Sequence, residues 1–309
     1  MQIETVACVG AGIIGRSWAV VFARRAKKVL LYDSRHEVAE AAKAWIDRAV
    51  GESAETGLSR DAVHVRDRIQ VVDTMEEAVS SADYVQESAL EDLVLKASLF
   101  SDIDRVAPRQ TILASSTSGF PPSMFLANLA GRRRCLVAHP LNPPHLIPAV
   151  EICPTPFTSP QAVEATMSFL RQTGQHPFLL KREVHGFVMN RLQLAVLREA
   201  LSLIERDICT VADLDVAMKY GLARRWAVMG PFETNYLTTT GGYAHFLAAY
   251  GETLKNIADD LCSTWNFDET LGREVDAQLT ERLNGETKEA TEGRRNRNLI
   301  RLARTELEG

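Results

Sequence analysis

Short apolar runs alternate with longer amphipathic stretches over the first half of the chain. Thr5 to Val9 carries no charge and reads as a buried strand. A glycine turn follows, then a helical stretch from Ile13 to about Ala26. Val29 to Asp33 predicts a second strand. Further strands are expected at Ile69 to Val72, Tyr84 to Val85, Thr111 to Ala114, Cys135 to Ala138 and Val150 to Ile152. Strands alternating with helices imply crossover connections and a mostly parallel sheet. The pattern changes near Val184. Beyond it, Leu194, Leu197, Leu201 and Ile204 recur at helical spacing and predict one buried face. Thr210-Val211-Ala212-Asp213 predicts a capped helix start. The charged tail from Lys288 to Glu308 predicts a solvated helix. The expected fold is α/β: a Rossmann-type, doubly wound, mostly parallel sheet over residues 1–183, then an all-helical domain over residues 184–309.

Composition narrows the function classes without choosing among them. The 309 residues suffice for two ordinary domains, and 46% hydrophobic with 24% charged residues is normal for a globular protein. A net charge of -5 gives no electrostatic footprint for nucleic acid. Five cysteines, with no pair in CxxC spacing, argue against a disulfide framework and against a zinc site, so no metal is expected. No apolar stretch approaches the roughly 18 residues of a membrane span, and the chain enters a core strand almost at once. A cytoplasmic protein with neither a nucleic-acid nor a membrane partner is expected.

The first chemical signal is Gly10-Ala11-Gly12-Ile13-Ile14-Gly15, a GxGxxG loop. Such a loop is weak evidence alone. Here it follows a predicted strand and opens a predicted helix, and Asp33 closes the next strand about 20 residues on. Gly10 permits a tight turn, Gly12 lets the backbone approach a pyrophosphate, and Gly15 lets the helix pack on the sheet. The uncapped N–H groups beyond Gly12, at Ile13 and Ile14, suit an anion. Asp33 can accept from adenosine ribose hydroxyls and repels a 2′-phosphate. NAD is the expected cofactor, a preference that nearby Arg35 slightly weakens.

The second signal lies between residues 111 and 151. One predicted strand ends in Ser115-Ser116-Thr117-Ser118-Gly119, another in Ala138-His139-Pro140-Leu141-Asn142-Pro143-Pro144, and Glu151 lies on the next. Strand carboxyl ends are where doubly wound sheets bind ligands. A histidine backed by a carboxylate is a suitable base for hydride transfer, because it takes the hydroxyl proton as hydride leaves.

These motifs resemble the 3-hydroxyacyl-CoA dehydrogenase family essentially from residue 4 to the end. Ser118, His139, Glu151 and the Asn190 of Gly186-Phe187-Val188-Met189-Asn190-Arg191 follow the family pattern. The resemblance implies that His139 is the general base and Glu151 its partner. It implies that Ser118 and Asn190 bind the reacting oxygen or the substrate carbonyl. Glu91 and Lys96 match family positions near the nicotinamide ribose. It also implies a homodimer through the helical domain, with substrate between the domains.

Within the family, Gly15-Arg16-Ser17-Trp18-Ala19, Asn142-Pro143-Pro144 and Gly221-Leu222-Ala223-Arg224-Arg225-Trp226 are similar to the branch of lambda-crystallin and L-gulonate 3-dehydrogenase. The segment after the second strand holds Glu37, Glu40, Asp47, Glu52 and Glu55 against Lys43 and Arg48, a poor surface for coenzyme A phosphates. Arg225 could pair with a free carboxylate instead. The expected reaction is therefore NAD-dependent oxidation of a small, L-gulonate-like L-3-hydroxy acid.

Alternatives stay open: a 3-hydroxyacyl-CoA such as 3-hydroxybutyryl-CoA; L-carnitine, with Trp226, Phe232 and Tyr236 as an aromatic cage; or a crystallin-like protein that binds NAD without turnover. Blander roles compete residue by residue. Ser118 could cap a turn, Asn190 could cap a helix, and Arg225 could pair with Glu233.

Overall fold

The computed structural model describes residues 2–55, 62–265 and 267–307. The chain divides into two compact units, residues 1–190 together with 292–309, and residues 191–291. The second unit is thus not continuous to the end of the chain. The tail is helical over Lys288–Leu307, but from Glu292 onward it groups with the first unit and buries Ile300. It is therefore not a wholly solvated helix.

The first unit contains one eight-stranded sheet: β1 (Thr5–Val9), β2 (Lys28–Tyr32), β3 (Ile69–Val71), β4 (Tyr84–Glu87), β5 (Ile112–Ser115), β6 (Cys135–Pro140), β7 (Ala149–Pro154) and β8 (His176–Leu179). Their spatial order is β3-β2-β1-β4-β5-β6-β7-β8. Neighbours are parallel except β6 and β7, which run antiparallel with His139 directly opposite Glu151. The seven expected strands form within two residues of their expected ends. The eighth, β8, carries Pro177 and exposes His176 and Leu179. It lies at the sheet edge, where the apolar run that marks a buried strand is not needed.

The central strands are buried on both faces. Val6 and Cys8 of β1 join one hydrophobic cluster, Ala7 and Val9 the other, as a two-residue side-chain period requires. Helix α1 (Ile13–Ala23) seals the first face with Trp18 and Phe22, whose rings stack at 4.9 Å. Phe22 also stacks on Phe169 at 5.6 Å. Each such side chain contributes about 1.5–3 kcal/mol by burial. Helix α2 (His36–Glu55) packs beside α1 through Ala39, Ala42 and Ile46.

The second unit is helical and thinly filled. Its buried cluster is Ile204, Val211 and Leu271, flanked by Leu201, Phe267, Val275 and Leu279. The expected helix start at Thr210 forms as a reciprocal capping box with Asp213. The helix Met189–Glu205 departs from expectation in one respect. Ile204 is buried and Leu201 packs on that cluster, but Leu194 and Leu197 are exposed. A unit of this size fills only one end of the apolar stripe.

The glycine loop yields a contrast of variants. A Cβ on Gly15 would fall 1.7 Å from the Gly10 carbonyl oxygen, whereas one on Gly12 would meet nothing within 4 Å. Gly15→Ala is expected to lower stability by at least about 2 kcal/mol, and Gly12→Ala by less than about 1 kcal/mol. Urea unfolding of both variants checks this. Equal midpoints would show that the turn relaxes to admit a methyl group.

Candidate active site

The glycine loop joins β1 to α1 at the carboxyl end of the sheet. Gly10 has φ +99°, and a Cβ there would lie 2.6 Å from the Ser88 carbonyl oxygen. Both facts restrict the position to glycine. Gly12 caps α1 without a side-chain hydrogen bond, and Ile13 is exposed. The first turn of α1 therefore offers N–H groups and a positive dipole end, with open space above Gly12. Asp33 accepts the Ala11 N–H at 2.8 Å and the Arg35 N–H at 3.0 Å, one on each carboxylate oxygen. Each oxygen keeps a lone pair for a ribose hydroxyl. These residues fit a dinucleotide, with its pyrophosphate over α1 and its adenosine ribose at Asp33.

His139 lies at the carboxyl end of β6 and is almost wholly buried, as is Glu151 on β7. Directly opposite residues of an antiparallel pair share a face, so the two side chains meet: Nδ1 to Oε2 is 2.7 Å. The other Glu151 oxygen, Oε1, accepts the backbone N–H groups of Val188 and Met189, each at 2.7 Å. Those groups open the helix Met189–Glu205, whose dipole also favours an anion there. An ionised Glu151 can only accept, so His139 carries its proton on Nδ1. Nε2 is left with a free lone pair, the form a general base requires. Phe187, held at φ 49°, packs its buried ring 5.6 Å from the imidazole.

A second network holds the Ser118 loop. One oxygen of Glu91 accepts from the Thr117 hydroxyl at 2.6 Å, the Ser118 N–H at 2.9 Å, the Gly119 N–H at 3.1 Å and the Ser118 hydroxyl at 3.3 Å. Burial opposes ionisation of Glu91. The Thr117 hydrogen bond, the Lys96 charge and the Ser118 N–H outweigh it and hold its pKa below the ordinary carboxylate value. Lys96 is 1% exposed and points inward, with its ammonium 2.9 Å from Glu87, 3.3 Å from Glu91 and 3.5 Å from the Ala89 carbonyl oxygen. All three of its N–H donors are taken.

Asn190 is not the cap of its helix, which begins at Met189. Its amide instead donates to the Ser118 carbonyl oxygen at 2.8 Å. One helix start thus touches both networks, through Val188 and Met189 at Glu151 and through Asn190 at Ser118. Arg225 lies on the helix Ala223–Trp226 of the second unit and is exposed.

Sequence reasoning passed over Glu87, which is wholly buried between Lys96 and the Ser115 hydroxyl, 2.5 Å away. A carboxylate closing an apolar strand, nine residues before a lysine, was the available signal. His145 plays a structural part. Burial, with Arg24, Arg295 and Arg16 nearby, pushes its pKa down to about 3, and its Nδ1 lies 2.7 Å from Ser17 Oγ. It ties the loop after β6 to α1.

Known proteins place this chain in a family. Residues 5–184 match the NAD-binding domain, and residues 186–279 the C-terminal domain, of 3-hydroxyacyl-CoA dehydrogenase. The lambda-crystallin homolog of Mus musculus is 35% identical over 277 residues, covering 83% of this chain and 87% of that protein. An L-carnitine dehydrogenase of Streptomyces griseus is 38% identical over 294 residues, covering 95% of this chain and 84% of that protein. Among solved structures, the NAD+-dependent dismutase 5-formyl-3-hydroxy-2-methylpyridine 4-carboxylic acid 5-dehydrogenase superposes with a TM-score of 0.83 at 29% identity. That match covers 100% of this chain and 99% of the other. The 3-hydroxybutyryl-CoA dehydrogenase of Escherichia coli gives 0.67 at 27% identity, covering 77% of this chain and 50% of that one. The fold and its relatives define a class, the NAD-dependent oxidoreductases acting on a CH–OH group. Within that class, the chain belongs to the 3-hydroxyacyl-CoA dehydrogenase family and carries its NAD-binding domain.

Glu151→Gln tests the tautomer argument. The amide can still accept from Val188 and Met189 while turning its NH2 toward Nδ1. That forces the imidazole proton onto Nε2 and removes the lone pair that a general base requires. A loss of about 10³- to 10⁴-fold in kcat is expected, with NADH affinity nearly unchanged. A loss below tenfold would show that Glu151 does not set the tautomer.

Proposed function

We propose that the protein oxidises the 3-hydroxyl carbon of a small, free L-3-hydroxy acid, with an L-gulonate-like acid as the leading substrate. The observation that carries this reading is the 2.7 Å contact of His139 Nδ1 with Glu151 at the carboxyl end of a dinucleotide-binding sheet, which leaves Nε2 to serve as the base. NAD, when bound, supplies the acceptor for the hydride. His139 Nε2 takes the hydroxyl proton as the C–H bond breaks and the carbonyl forms, and Glu151 stabilises the resulting imidazolium. Ser118 and Asn190 orient the reacting oxygen. Glu91 and Lys96 serve the nicotinamide ribose end, with Lys96 acting through the Glu91 carboxylate.

A free acid is favoured over a coenzyme A thioester on electrostatic grounds. The described side chains of α2 include Glu37, Glu40, Asp47 and Glu52 against Lys43 and Arg48, so this surface repels rather than attracts phosphates. Arg225 is the proposed partner of the substrate carboxylate, since its planar fork suits bidentate binding. L-Carnitine is a second reading, favoured by the 95% coverage of the L-carnitine dehydrogenase match. Trp226, Phe232 and Tyr236 would serve its quaternary ammonium.

A homodimer through the second unit is part of the proposal. Leu192, Leu194, Leu197, Leu247, Leu254 and Ile257 are all exposed in the single chain, and apolar surface on this scale marks an association face.

Two measurements test the reading. NADH formation is followed with L-gulonate, L-3-hydroxybutyrate, L-carnitine and 3-hydroxybutyryl-CoA, and L-gulonate is expected to give the highest kcat/KM. Turnover of the thioester alone would overturn the free-acid reading, and turnover of L-carnitine alone would replace it by the second. His139→Gln is expected to lower kcat at least about a hundredfold while NADH affinity is kept. Near-normal turnover by that variant would remove His139 as the base.

A further inference from the structure

Four polar side chains meet on the α1 face of the sheet, at the carboxyl ends of β4 and β5. Ser116 Oγ lies 3.1 Å from Trp18 Nε1, 2.7 Å from Gln86 Nε2 and 2.9 Å from Ser88 Oγ. Gln86 Nε2 also lies 3.2 Å from the Ala138 carbonyl oxygen, which can only accept, so the amide orientation is fixed. Tyr84 donates to the other end of that amide at 3.0 Å.

The hydrogens can be assigned one by one. A hydroxyl oxygen has two lone pairs and one proton. Trp18 Nε1 can only donate, and so can Gln86 Nε2, so both lone pairs of Ser116 are taken. The Ser116 proton therefore goes to Ser88, the one acceptor left within reach. Ser88 receives it and keeps its own proton. No other acceptor for the Ser88 hydroxyl lies within hydrogen-bond distance among the described residues. Ser88 is a half-buried residue with an uncommitted donor, and the direction of its neighbour is set by two buried groups, Trp18 and Gln86.

Its position says what the donor is for. The Ser88 carbonyl oxygen lies against Gly10, and its Cβ would stand 3.5 Å from a Cβ on Gly15, in the first turn of α1. β1 separates Ser88 from Asp33. Asp33 follows β2 and Ser88 follows β4, on opposite sides of the glycine loop. A dinucleotide whose adenosine ribose sits at Asp33 must carry its other half past Ser88.

We infer that Ser88 is a cofactor-binding residue that donates a hydrogen bond to an oxygen of the nicotinamide mononucleotide half of NAD, held in the donor orientation by Ser116, Gln86 and Trp18. This rests on the NAD-binding domain and not on the choice of substrate. It is therefore tested without substrate, by fluorescence titration of NADH and calorimetric titration of AMP into the intact protein. Ser88→Ala is expected to weaken NADH about tenfold while leaving AMP affinity within twofold. Ser88→Thr, which keeps the hydroxyl, is expected to recover most of the NADH affinity. NADH affinity within twofold of wild type in Ser88→Ala would overturn the assignment. So would an equal loss for AMP and NADH, which would report a loosened glycine loop rather than a lost hydrogen bond. Failure of the substrate panel with this result intact would strike the proposed reaction alone.

Discussion

One carboxylate organises the candidate site of this chain. Glu151 is wholly buried, and an unpaired charge in that position would cost several kcal/mol. It persists because three N–H donors converge on it: His139 Nδ1, Val188 N and Met189 N. None of them is a cation of fixed charge. The carboxylate is held by hydrogen bonds and by a helix N-terminus. A lysine or arginine in place of the two backbone donors would hold Glu151 equally well, but it would weaken the pull of Glu151 on an imidazolium. In the proposed reaction, the backbone arrangement would keep that pull for the transition state, where a base needs it.

The same carboxylate fixes local structure. It bridges β7 to the chain entering the helix Met189–Glu205, where Gly186 and Phe187 both take positive φ. That reversal seats Phe187 against the imidazole and presents Val188 and Met189 to the carboxylate in succession. It also places Asn190 in the first helical turn, within reach of the Ser118 carbonyl oxygen. The position of the Ser118 loop and the orientation of the His139 imidazole thus share one origin, the start of one helix.

Much of this was legible in the sequence because it is periodic or local. A GxGxxG loop states its conformation in its residues, since Gly10 and Gly15 stand where any side chain would strike backbone. The twelve-residue spacing of His139 and Glu151 became a contact because β6 and β7 run antiparallel and set the two residues opposite each other. The antiparallel sense itself was not legible, since both strands read as plain apolar runs. Glu87 was missed for a related reason. Its partners, Lys96 and Ser115, come from a helix and from the next strand, and no single-strand pattern announces them. The apolar stripe of the helix Met189–Glu205 was legible as a stripe. What covers it was not, because periodicity reports that a face is apolar and not which surface it meets.

The carboxyl end of β4 shows how the two-residue period of a strand divides labour. Glu87 faces one side of the sheet, and Gln86 and Ser88 face the other. On the first side the currency is charge: Lys96 sits between Glu87 and Glu91, and Glu91 draws in the N–H and O–H groups of the loop 117–119. On the second side the groups around Ser116 are neutral, and the order comes from the hydrogen bonds among them. The separation has a physical consequence. A charge on the α1 face would couple electrostatically to a pyrophosphate across a low-dielectric gap, and a carboxylate there would repel it. Hydroxyl, amide and indole groups hold the geometry around Ser116 without adding a net charge. The ionic network that holds the loop 117–119 therefore lies across the sheet from the neutral groups around Ser116.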